Sequence, residues 1–485
     1  MVLSLLEQIM ILCVASRVWA HNSYVEIPGY DPEVLLALSG SGPICWAGLE
    51  YSSIAQKQWS KFTWRWECEN GECDSAKKHA WTHSTPCFQL DDSDRKFCVF
   101  TDANFADGRG ISLITTPQRA AFVAAAPAFI EPRLVRGLNQ DLLRTTPPKY
   151  NVRPVPGKGM GVVATAPIRR GELIMANTAS YMVDYAVFNG LSREQYTLLE
   201  SHAVDHLPPA HREAILALSP LNTFNTTDTA NLNHTDLIDK ITATNMFDID
   251  PEPSDADQYH SFASLFPHIA RLNHDCRPNA EYRFSYPLLA QLVHAARDIQ
   301  PGEEITISYL DPLQTRAART RRLRDNWGFE CSCPACVPPP SSPSSKSESG
   351  DTAESDARIT EILDLRSDLL DRLYPDPDED DAPSTPASAP APTAASPSQA
   401  ERLIELYTRE RLWTGLHEAY AFAALEYSAA GDEGAAIRYA RLAVEWGLPM
   451  VGPDDEGVRE MGRLLADPRA HWSWMRGVGG GVVES

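Results

Sequence analysis

Three motifs between positions 271 and 336 constrain this chain more than any other feature of its 485 residues. In chain order they read Arg271-Leu-Asn-His-Asp-Cys276-Arg-Pro-Asn279, Gly302-Glu-Glu-Ile-Thr-Ile-Ser-Tyr309 and Cys331-Ser-Cys333-Pro-Ala-Cys336. The last motif offers three thiolates at ligand spacing, and a closed structural zinc site requires four ligands. Cys276 can supply the fourth. The sequence therefore predicts zinc bound by Cys276, Cys331, Cys333 and Cys336, with reduced or disulfide-bonded cysteines as the rival interpretation.

From about Tyr150 the residue pattern changes, and the new pattern predicts short strands and tight turns. β-branched runs such as Gly161-Val-Val-Ala-Thr165 and Ile305-Thr-Ile-Ser308 are separated by Gly and Pro. Just before the first run lies Gly157-Lys158-Gly159-Met160-Gly161, where glycines allow the backbone to approach a ligand closely. The spacing differs from that of the dinucleotide-binding fingerprint, and a plain hairpin turn is the alternative.

These motifs, with Arg170-Gly-Glu-Leu-Ile174 among them, occur in the order that SET domains show. The chain from 150 to 337 resembles that family, and the SMYD and related branch in particular, whose cysteine-rich tail follows a basic helix such as Arg316 to Asp325. The resemblance implies an α+β multidomain protein with a β-rich SET fold of short strands. It also implies transfer of a methyl group from S-adenosylmethionine (SAM) to a lysine of a protein substrate.

The resemblance also implies roles for individual residues. In that family the loop matching Lys158, Gly159 and Met160 holds the methionine portion of SAM. The residues matching Asn273 and His274 hold its amino group and adenine, and the aromatic matching Phe329 packs on adenine. The tyrosine matching Tyr309 lies beside the transferred methyl group. The family builds its zinc site from the same four cysteine positions, which ties the tail over the cofactor pocket.

The chemistry of lysine methylation independently favours a tyrosine such as Tyr309. An in-line displacement requires that two reactants be aligned and that the amine be uncharged. A free lysine has a pKa of ~10.4 and is protonated at neutral pH. A narrow apolar channel disfavours the ammonium form, and a fixed phenol oxygen can orient the neutral amine. The alternative is a core tyrosine at the end of a strand.

Two features depart from the SMYD pattern. Trp327 occupies the position where many relatives have a second tyrosine lining the lysine channel, and an indole could narrow or close that channel. Residues 170–270 contain no cysteine, which predicts that the zinc-binding MYND finger is absent.

The N-terminus carries a candidate signal peptide at residues 1–20. A short apolar run is followed by Ala20, the small residue that signal peptidase needs, although Glu7 and the lack of Lys and Arg in the first sixteen residues argue against it. The alternative is an apolar helix that packs on the body. Sequons at Asn225 and Asn233 fit secretion. We therefore expect a secretory or extracellular protein, with a nuclear or cytoplasmic location as the alternative, and no integral membrane segment.

Residues 21–116 form a module rich in Trp and Cys, followed by a linker at 117–149 with a helix-forming stretch. In an oxidising compartment its cysteines would pair as disulfides, with one left over. They are Cys45, Cys68, Cys73, Cys87 and Cys98. A zinc finger formed with His79 and His83 is the less favoured interpretation, because the loop between the ligand pairs is short.

The C-terminal part divides into a linker and a helical domain. Residues 338–400 are rich in Pro, Ser, Ala and Asp and bury too little apolar surface to offset ordering, so we expect a largely disordered linker, with one helix at about Arg358 to Leu373. Residues 401–476 carry apolar residues at helical spacing. They predict a tetratricopeptide-like domain or a plain helical hairpin.

Charge and motifs together favour an enzyme that acts on protein. The formal charge is −22, and thirteen acidic against four basic residues lie between positions 338 and 400. An acidic body disfavours nucleic acid and favours a basic, lysine-containing partner such as a histone. We expect a SAM-dependent protein-lysine methyltransferase. The rivals are a non-catalytic SET scaffold and a secreted binding protein.

Overall fold

The computed structural model describes residues 81–90, 95–136, 138, 148–220, 232–249, 261–337, 348–374 and 395–477. The chain divides into two units, Met1–Lys78 and His79–Ser485, and every described residue belongs to the second. The predicted signal peptide, most of the Cys/Trp-rich module and the Asn225 sequon therefore lie outside the described residues.

Short strands in three sheets form the central part of this unit, as the resemblance implies. The sheet orders are β1-β2-β3-β7-β9-β8, β10-β13-β5-β4 and β11-β12-β6. The strands are β1 Cys87–Gln89, β2 Lys96–Asp102, β3 Ile111–Thr115, β4 Tyr150–Val155, β5 Gly159–Ala164, β6 Leu173–Thr178, β7 Tyr181–Asp184, β8 Met246–Ile249, β9 Phe262–Leu265, β10 Asn273–His274, β11 Ala280–Ser285, β12 Ala290–Ala295 and β13 Glu304–Ile307.

Helices surround the sheets and make up the C-terminal region. They are α1 Pro117–Ala124, α2 Pro127–Ile130, α3 Ala186–Gly190, α4 Arg193–Asp205, α5 Pro209–Leu216, α6 His234–Asn245, α7 Arg316–Trp327, α8 Glu348–Leu373, α9 Pro397–Glu410, α10 Leu416–Ala429, α11 Glu433–Met450 and α12 Glu456–Ala466, besides a four-residue helical turn at Phe105–Gly108 and short 3₁₀ turns at Pro132–Leu134, Ile269–Arg271, Tyr286–Leu288 and Trp413–Gly415. No helix in the described ranges is long and apolar enough to cross a bilayer.

The six-stranded sheet joins the predicted Cys/Trp-rich module to the predicted SET segment. β3 pairs in parallel with β7, with Ser112 opposite Tyr181. β1 and β2 carry a disulfide between Cys87 and Cys98. The helices α1 and α2 lie in the stretch predicted as a linker at 117–149. Phe97 and Val99 of β2 and Ile114 of β3 lie in the same apolar core as residues of β7 and β9, and the domain boundaries at 116 and 150 stay predictions.

The C-terminal region is helical, as predicted, but it starts earlier than expected. α8 begins at Glu348, ten residues before the helix predicted inside the linker, and α9 begins at Pro397. Together with the next three helices they bury one apolar cluster that includes Leu369, Leu403 and Leu464. Apolar residues at helical spacing outweigh the disorder-promoting composition in α8. The tetratricopeptide-like arrangement stays a prediction.

Candidate functional site

The glycine-rich loop forms the turn of the β4–β5 hairpin. Gly157 and Gly159 have φ angles of +74° and +72°, a region that glycine enters without strain. A Cβ built on Gly159 would meet nothing within 4 Å, whereas one on Gly161 would lie 2.7 Å from Asn273 Nδ2. The turn is therefore open on one side and packed against the Asn-His motif on the other.

Glu304 ties the hairpin to the Asn-His motif. Its carboxylate accepts from Lys158 Nζ at 2.7 Å and from Asn273 Nδ2 at 2.9 Å, and Asn273 Nδ2 also donates to the Met160 carbonyl at 3.2 Å. The parallel pairing of β10 with β13 places Asn273 opposite Thr306. Glu304 lies in the motif at residues 302–309, and no role was predicted for it. Its position as the first residue of a β-branched run, directly after Glu303, was the available signal.

His274 is neutral, and both its ring nitrogens have partners. Burial lowers its pKa to about 4. Nδ1 accepts from the Tyr309 backbone N–H at 3.1 Å, so the ring proton lies on Nε2, which is 3.3 Å from Cys276 Sγ. The imidazole thus links the tyrosine to the cysteine cluster. Any contact of His274 with a cofactor would use its backbone or its ring face.

The Tyr309 hydroxyl is fixed and protonated. It donates to the Leu272 carbonyl at 2.8 Å, and burial raises its pKa above the ordinary value of a phenol. Because the proton points at Leu272, the oxygen lone pairs remain able to accept a hydrogen bond from another group.

Aromatic rings surround Tyr309. The Trp327 ring centroid lies 5.4 Å from that of Tyr309, and the Phe329 centroid lies 6.4 Å away in an edge-on arrangement. Phe329 is also 6.2 Å from His274. Gly328, with φ of +70°, ends α7 and turns the chain so that both aromatic residues face the same region. Trp327 and Phe329 therefore form aromatic walls next to Tyr309.

Four cysteines form a cluster that could hold a metal ion. The Sγ atoms of Cys276, Cys331, Cys333 and Cys336 all lie within 4.8 Å of one another and are buried. Cys276 Sγ is 3.5 Å from Cys336 Sγ and 3.9 Å from Cys331 Sγ. Tetrahedral zinc with Zn–S bonds of ~2.3 Å requires sulfur separations of roughly 3.8 Å. The donor set and its spacing therefore fit zinc.

Arg319 is a buried cation beside this cluster. It is 1% exposed and donates to the Gln314 carbonyl. Burial disfavours its charge, but the neighbouring thiol groups, Cys276 foremost, outweigh that effect and raise its pKa. Arg319 was not predicted as a site residue, because an arginine within a basic helix carries no signal that distinguishes it from its exposed neighbours.

The contacts connect the predicted site residues into one region. The hairpin contacts Asn273, the adjacent His274 contacts Tyr309, and Phe329 packs near both rings. The predicted cofactor-binding residues are Lys158, Gly159, Met160, Asn273, His274, Tyr309 and Phe329.

Comparisons with known proteins agree with this geometry. Residues 159–310 match the SET domain. Human histone-lysine N-methyltransferase SMYD3 is 50% identical over 72 residues, covering 15% of this chain and 16% of the relative. Chicken protein-lysine N-trimethyltransferase SMYD5 is 39% identical over 100 residues, covering 20% and 24%. Schizosaccharomyces pombe histone-lysine N-methyltransferase set5 is 29% identical over 191 residues, covering 39% and 50%.

The chain therefore contains a SET domain of the kind found in protein-lysine methyltransferases. The matched segments span between about a sixth and a half of the length of these relatives.

Proposed function

We propose, on the premise of this SET domain, that the protein is a SAM-dependent protein-lysine N-methyltransferase. The convergence of the glycine hairpin, the Asn-His motif and Tyr309 carries the proposal. The hairpin contacts Asn273, and His274 binds the Tyr309 backbone.

SAM would bind where the open side of the hairpin meets the aromatic residues. The backbone of Lys158, Gly159 and Met160 would hold its methionine portion, because Gly159 leaves space beside it. Asn273 and the backbone of His274 would hold the amino group and adenine, and Phe329 would pack on adenine. SAM supplies the methyl group as an electrophilic sulfonium.

Tyr309 would act on the lysine amine. Its pKa is raised by burial, so it stays a neutral phenol and removes no proton from the substrate at neutral pH. The hydrogen bond to Leu272 holds the oxygen in place, and this oxygen would accept a hydrogen bond from the neutral amine. Exclusion of water from the site would disfavour the ammonium form, so the lysine would release its proton to solvent, and its lone pair would then form the N–C bond as the C–S bond to the departing thioether breaks. The protein thus contributes alignment and desolvation.

Zinc would be held by Cys276, Cys331, Cys333 and Cys336. A Zn²⁺ ion with four thiolates carries a net charge of −2, which the buried Arg319 partly balances. Zinc would supply a fixed cross-link between the Asn-His loop and the tail, and this cross-link places Phe329 near His274.

A cavity of about 480 Å³ supports a basic protein substrate. Its lining includes Asp311, two residues after Tyr309, together with Glu281, Glu418 and the cation Arg283. Burial raises the pKa of Glu281 to about 7, so this carboxyl is only partly ionised at neutral pH, and Glu418 is paired with Arg366. Asp311 would attract basic residues that flank the target lysine. Histones are candidate substrates, because relatives are named histone-lysine methyltransferases.

A methyl-transfer assay tests this proposal. Zinc-loaded protein is incubated with isotope-labelled SAM, core histones and cell extract, and methyl-lysine is identified by mass spectrometry. We expect transfer by the parent and a strong reduction in Tyr309→Phe, with SAM binding retained in calorimetry. Transfer by the Tyr309→Phe variant at the parent rate would refute the role of Tyr309.

A non-catalytic SET scaffold is the second candidate, and Trp327 favours it. The indole lies 5.4 Å from Tyr309 and has no hydroxyl at the place of a channel tyrosine. SAM binding without transfer across the substrate panel would support the scaffold. Trp327→Tyr would then be expected to gain transfer.

Within the described ranges, the Cys87–Cys98 disulfide and the exposed sequon at Asn233 favour the third candidate, a secreted binding protein, while the candidate signal peptide and the Asn225 sequon lie outside those ranges. We propose a nuclear or cytoplasmic location instead, because the relatives are named histone-lysine and protein-lysine methyltransferases. Mass spectrometry of the native protein for N-terminal processing, glycan, disulfides and zinc separates the two.

A further inference from the structure

A buried arginine joins the Asn-His motif to the C-terminal helices. Arg277 follows Cys276 directly and donates to its carbonyl at 2.8 Å. It also donates to the Pro312 carbonyl at 3.4 Å and to Glu410 Oε2 at 2.7 Å. The side chains of Arg277 and Glu410 are 4% and 5% exposed. One guanidinium therefore contacts the cysteine loop, the segment after Tyr309 and α9.

Glu410 also accepts hydrogen bonds from a second helix, α8. It accepts from the Ser355 hydroxyl at 2.7 Å and from Arg358 Nε at 2.6 Å, both on α8. Burial opposes ionisation of Glu410, but the hydrogen bonds from Arg277, Ser355 and Arg358 outweigh it and lower its pKa. We call Arg277, Ser355, Arg358 and Glu410 the Glu410 cluster.

Stability alone explains this cluster poorly. Glu410 is the last residue of α9, where the helix dipole disfavours an anion. An ion pair loses its hydration when it is buried, which costs free energy. Replacing such a pair with apolar residues of similar volume often leaves the stability unchanged or higher. Directional contacts with three separate segments instead fix one arrangement of those segments.

We propose that Arg277 and Glu410 are positioning residues for methyl transfer, and that the Glu410 cluster couples the C-terminal helices to the cofactor pocket. The inference rests on the proposed function. Arg277 holds the loop of Cys276, and His274 in the same loop holds the Tyr309 backbone N–H. Displacement of this loop therefore shifts the phenol. A shift of ~1 Å can reduce the rate of an aligned reaction about a hundredfold.

Glu410→Gln in the zinc-loaded full-length chain tests the coupling. We expect kcat to fall at least tenfold and the Asp275, Arg277 and Tyr309 amides to exchange hydrogen faster, with zinc content unchanged. Glu410→Asp keeps the charge and should restore part of kcat. The matched control is Glu361→Gln, which breaks the 2.8 Å pair with Arg402 between the same two helices. It should leave kcat and exchange within twofold of the parent.

Arg358→Gln provides a second test of the coupling in case the Glu410 variants do not fold. Loss of the Glu410 charge leaves buried Arg277 without its counter-charge, whereas Arg358 is 18% exposed and its loss is milder. We expect kcat to fall at least threefold and the same amides to exchange faster. Parent-like kcat and exchange in any folded Glu410 or Arg358 variant would overturn the coupling. A parent protein that transfers no methyl group would refute the proposed function. Hydrogen exchange of the same amides would still test the coupling in that case.

Discussion

The cysteine tail and the C-terminal helices are held in place by different forces. Around the tail, the buried apolar side chains packed with the four cysteines are Leu310 and Leu323. The helices bury a much larger apolar cluster, from Ile359 on α8 to Leu464 on α12. A tail with so small an apolar core depends on cross-linking for its order, whereas the helices gain stability from apolar burial. Metal loss should therefore disorder the tail and spare the helices.

The largest expected effect comes from loss of a cysteine ligand. Cys331→Ser should lose zinc and reduce methyl transfer by roughly a thousandfold or more, because the tail no longer holds Phe329. Far-UV circular dichroism should change little. Elemental analysis and the transfer assay measure this. The control Cys87→Ser/Cys98→Ser should keep its zinc. Retained zinc and activity in Cys331→Ser would contradict the cross-linking role.

Tyr309→Phe tests the role of the Tyr309 hydroxyl in methyl transfer while the cysteine tail stays ordered. The change removes one oxygen and should lower kcat by roughly a hundredfold, since loss of a positioned hydrogen-bonding group at the reacting centre costs about 2–4 kcal/mol. SAM affinity, measured by calorimetry, should stay within threefold of the parent. Tyr427→Phe, whose hydroxyl donates to Glu401 in the helical region, is the control and should leave kcat unchanged.

Leu403→Ala tests the apolar side of the comparison. Leu403 is fully buried among the C-terminal helices, so its truncation should destabilise them by about 3 kcal/mol in urea unfolding. Leu363→Ala on α8, where the side chain is 42% exposed, should cost much less. Zinc content should be unchanged in both variants. Zinc loss in Leu403→Ala would show that the tail depends on the helices.

The smallest effect concerns a carboxyl in the apolar core beside the six-stranded sheet. Glu200 is fully buried, accepts from Thr242 and Tyr196, and has its pKa raised to about 7 by burial. Between pH 4.5 and 7 the folded state binds this proton more tightly than the unfolded state, so stability falls as pH rises through that window.

Glu200→Gln should therefore stabilise the protein at pH 8 by on the order of 2 kcal/mol and change little at pH 4.5. Urea unfolding of parent and variant at both pH values measures the difference. Glu213→Gln, at an exposed position on α5, should show no such pH trend. A Glu200→Gln variant less stable than the parent at pH 8 would indicate that the carboxylate is required.

Residues could be predicted from the sequence where the chemistry allows few side chains. Residues whose partners are distant in the sequence could not be predicted. Cys276 was predicted as a zinc ligand because three tail cysteines leave one ligand missing. Tyr309 was predicted from the resemblance to SET domains, and the chemistry of lysine methylation favours the same residue. Arg277 lay inside a motif, but its partner Glu410 is 133 positions away and has no local signature. Arg319 was missed because other arginines surround it in the basic helix α7 and nothing in the sequence marks it as the buried one.

The fold shows a similar division. β-branched runs separated by Gly and Pro predicted short strands and tight turns, and a hairpin turn was the alternative interpretation of Gly157 to Gly161, where β4 and β5 pair as neighbours in the chain. The parallel pairing of β3 with β7 joins residues about 69 positions apart, and no turn residue marks it. Composition predicted a largely disordered linker at 338–400 with one helix at about Arg358 to Leu373, and Ile359, Ile362 and Leu369 line one buried face of α8, which begins ten residues earlier, at Glu348. Local patterns therefore specify elements, and distant packing decides where domains meet.

The most direct test is a crystal structure of the zinc-loaded protein with SAM. We expect density for the cofactor between Gly159, His274 and Phe329, with its methyl group directed towards the Tyr309 hydroxyl and one zinc ion bound by the four thiolates. A zinc-loaded crystal at saturating SAM with no cofactor density in that region, or with the methyl group directed away from Tyr309, would contradict this expectation.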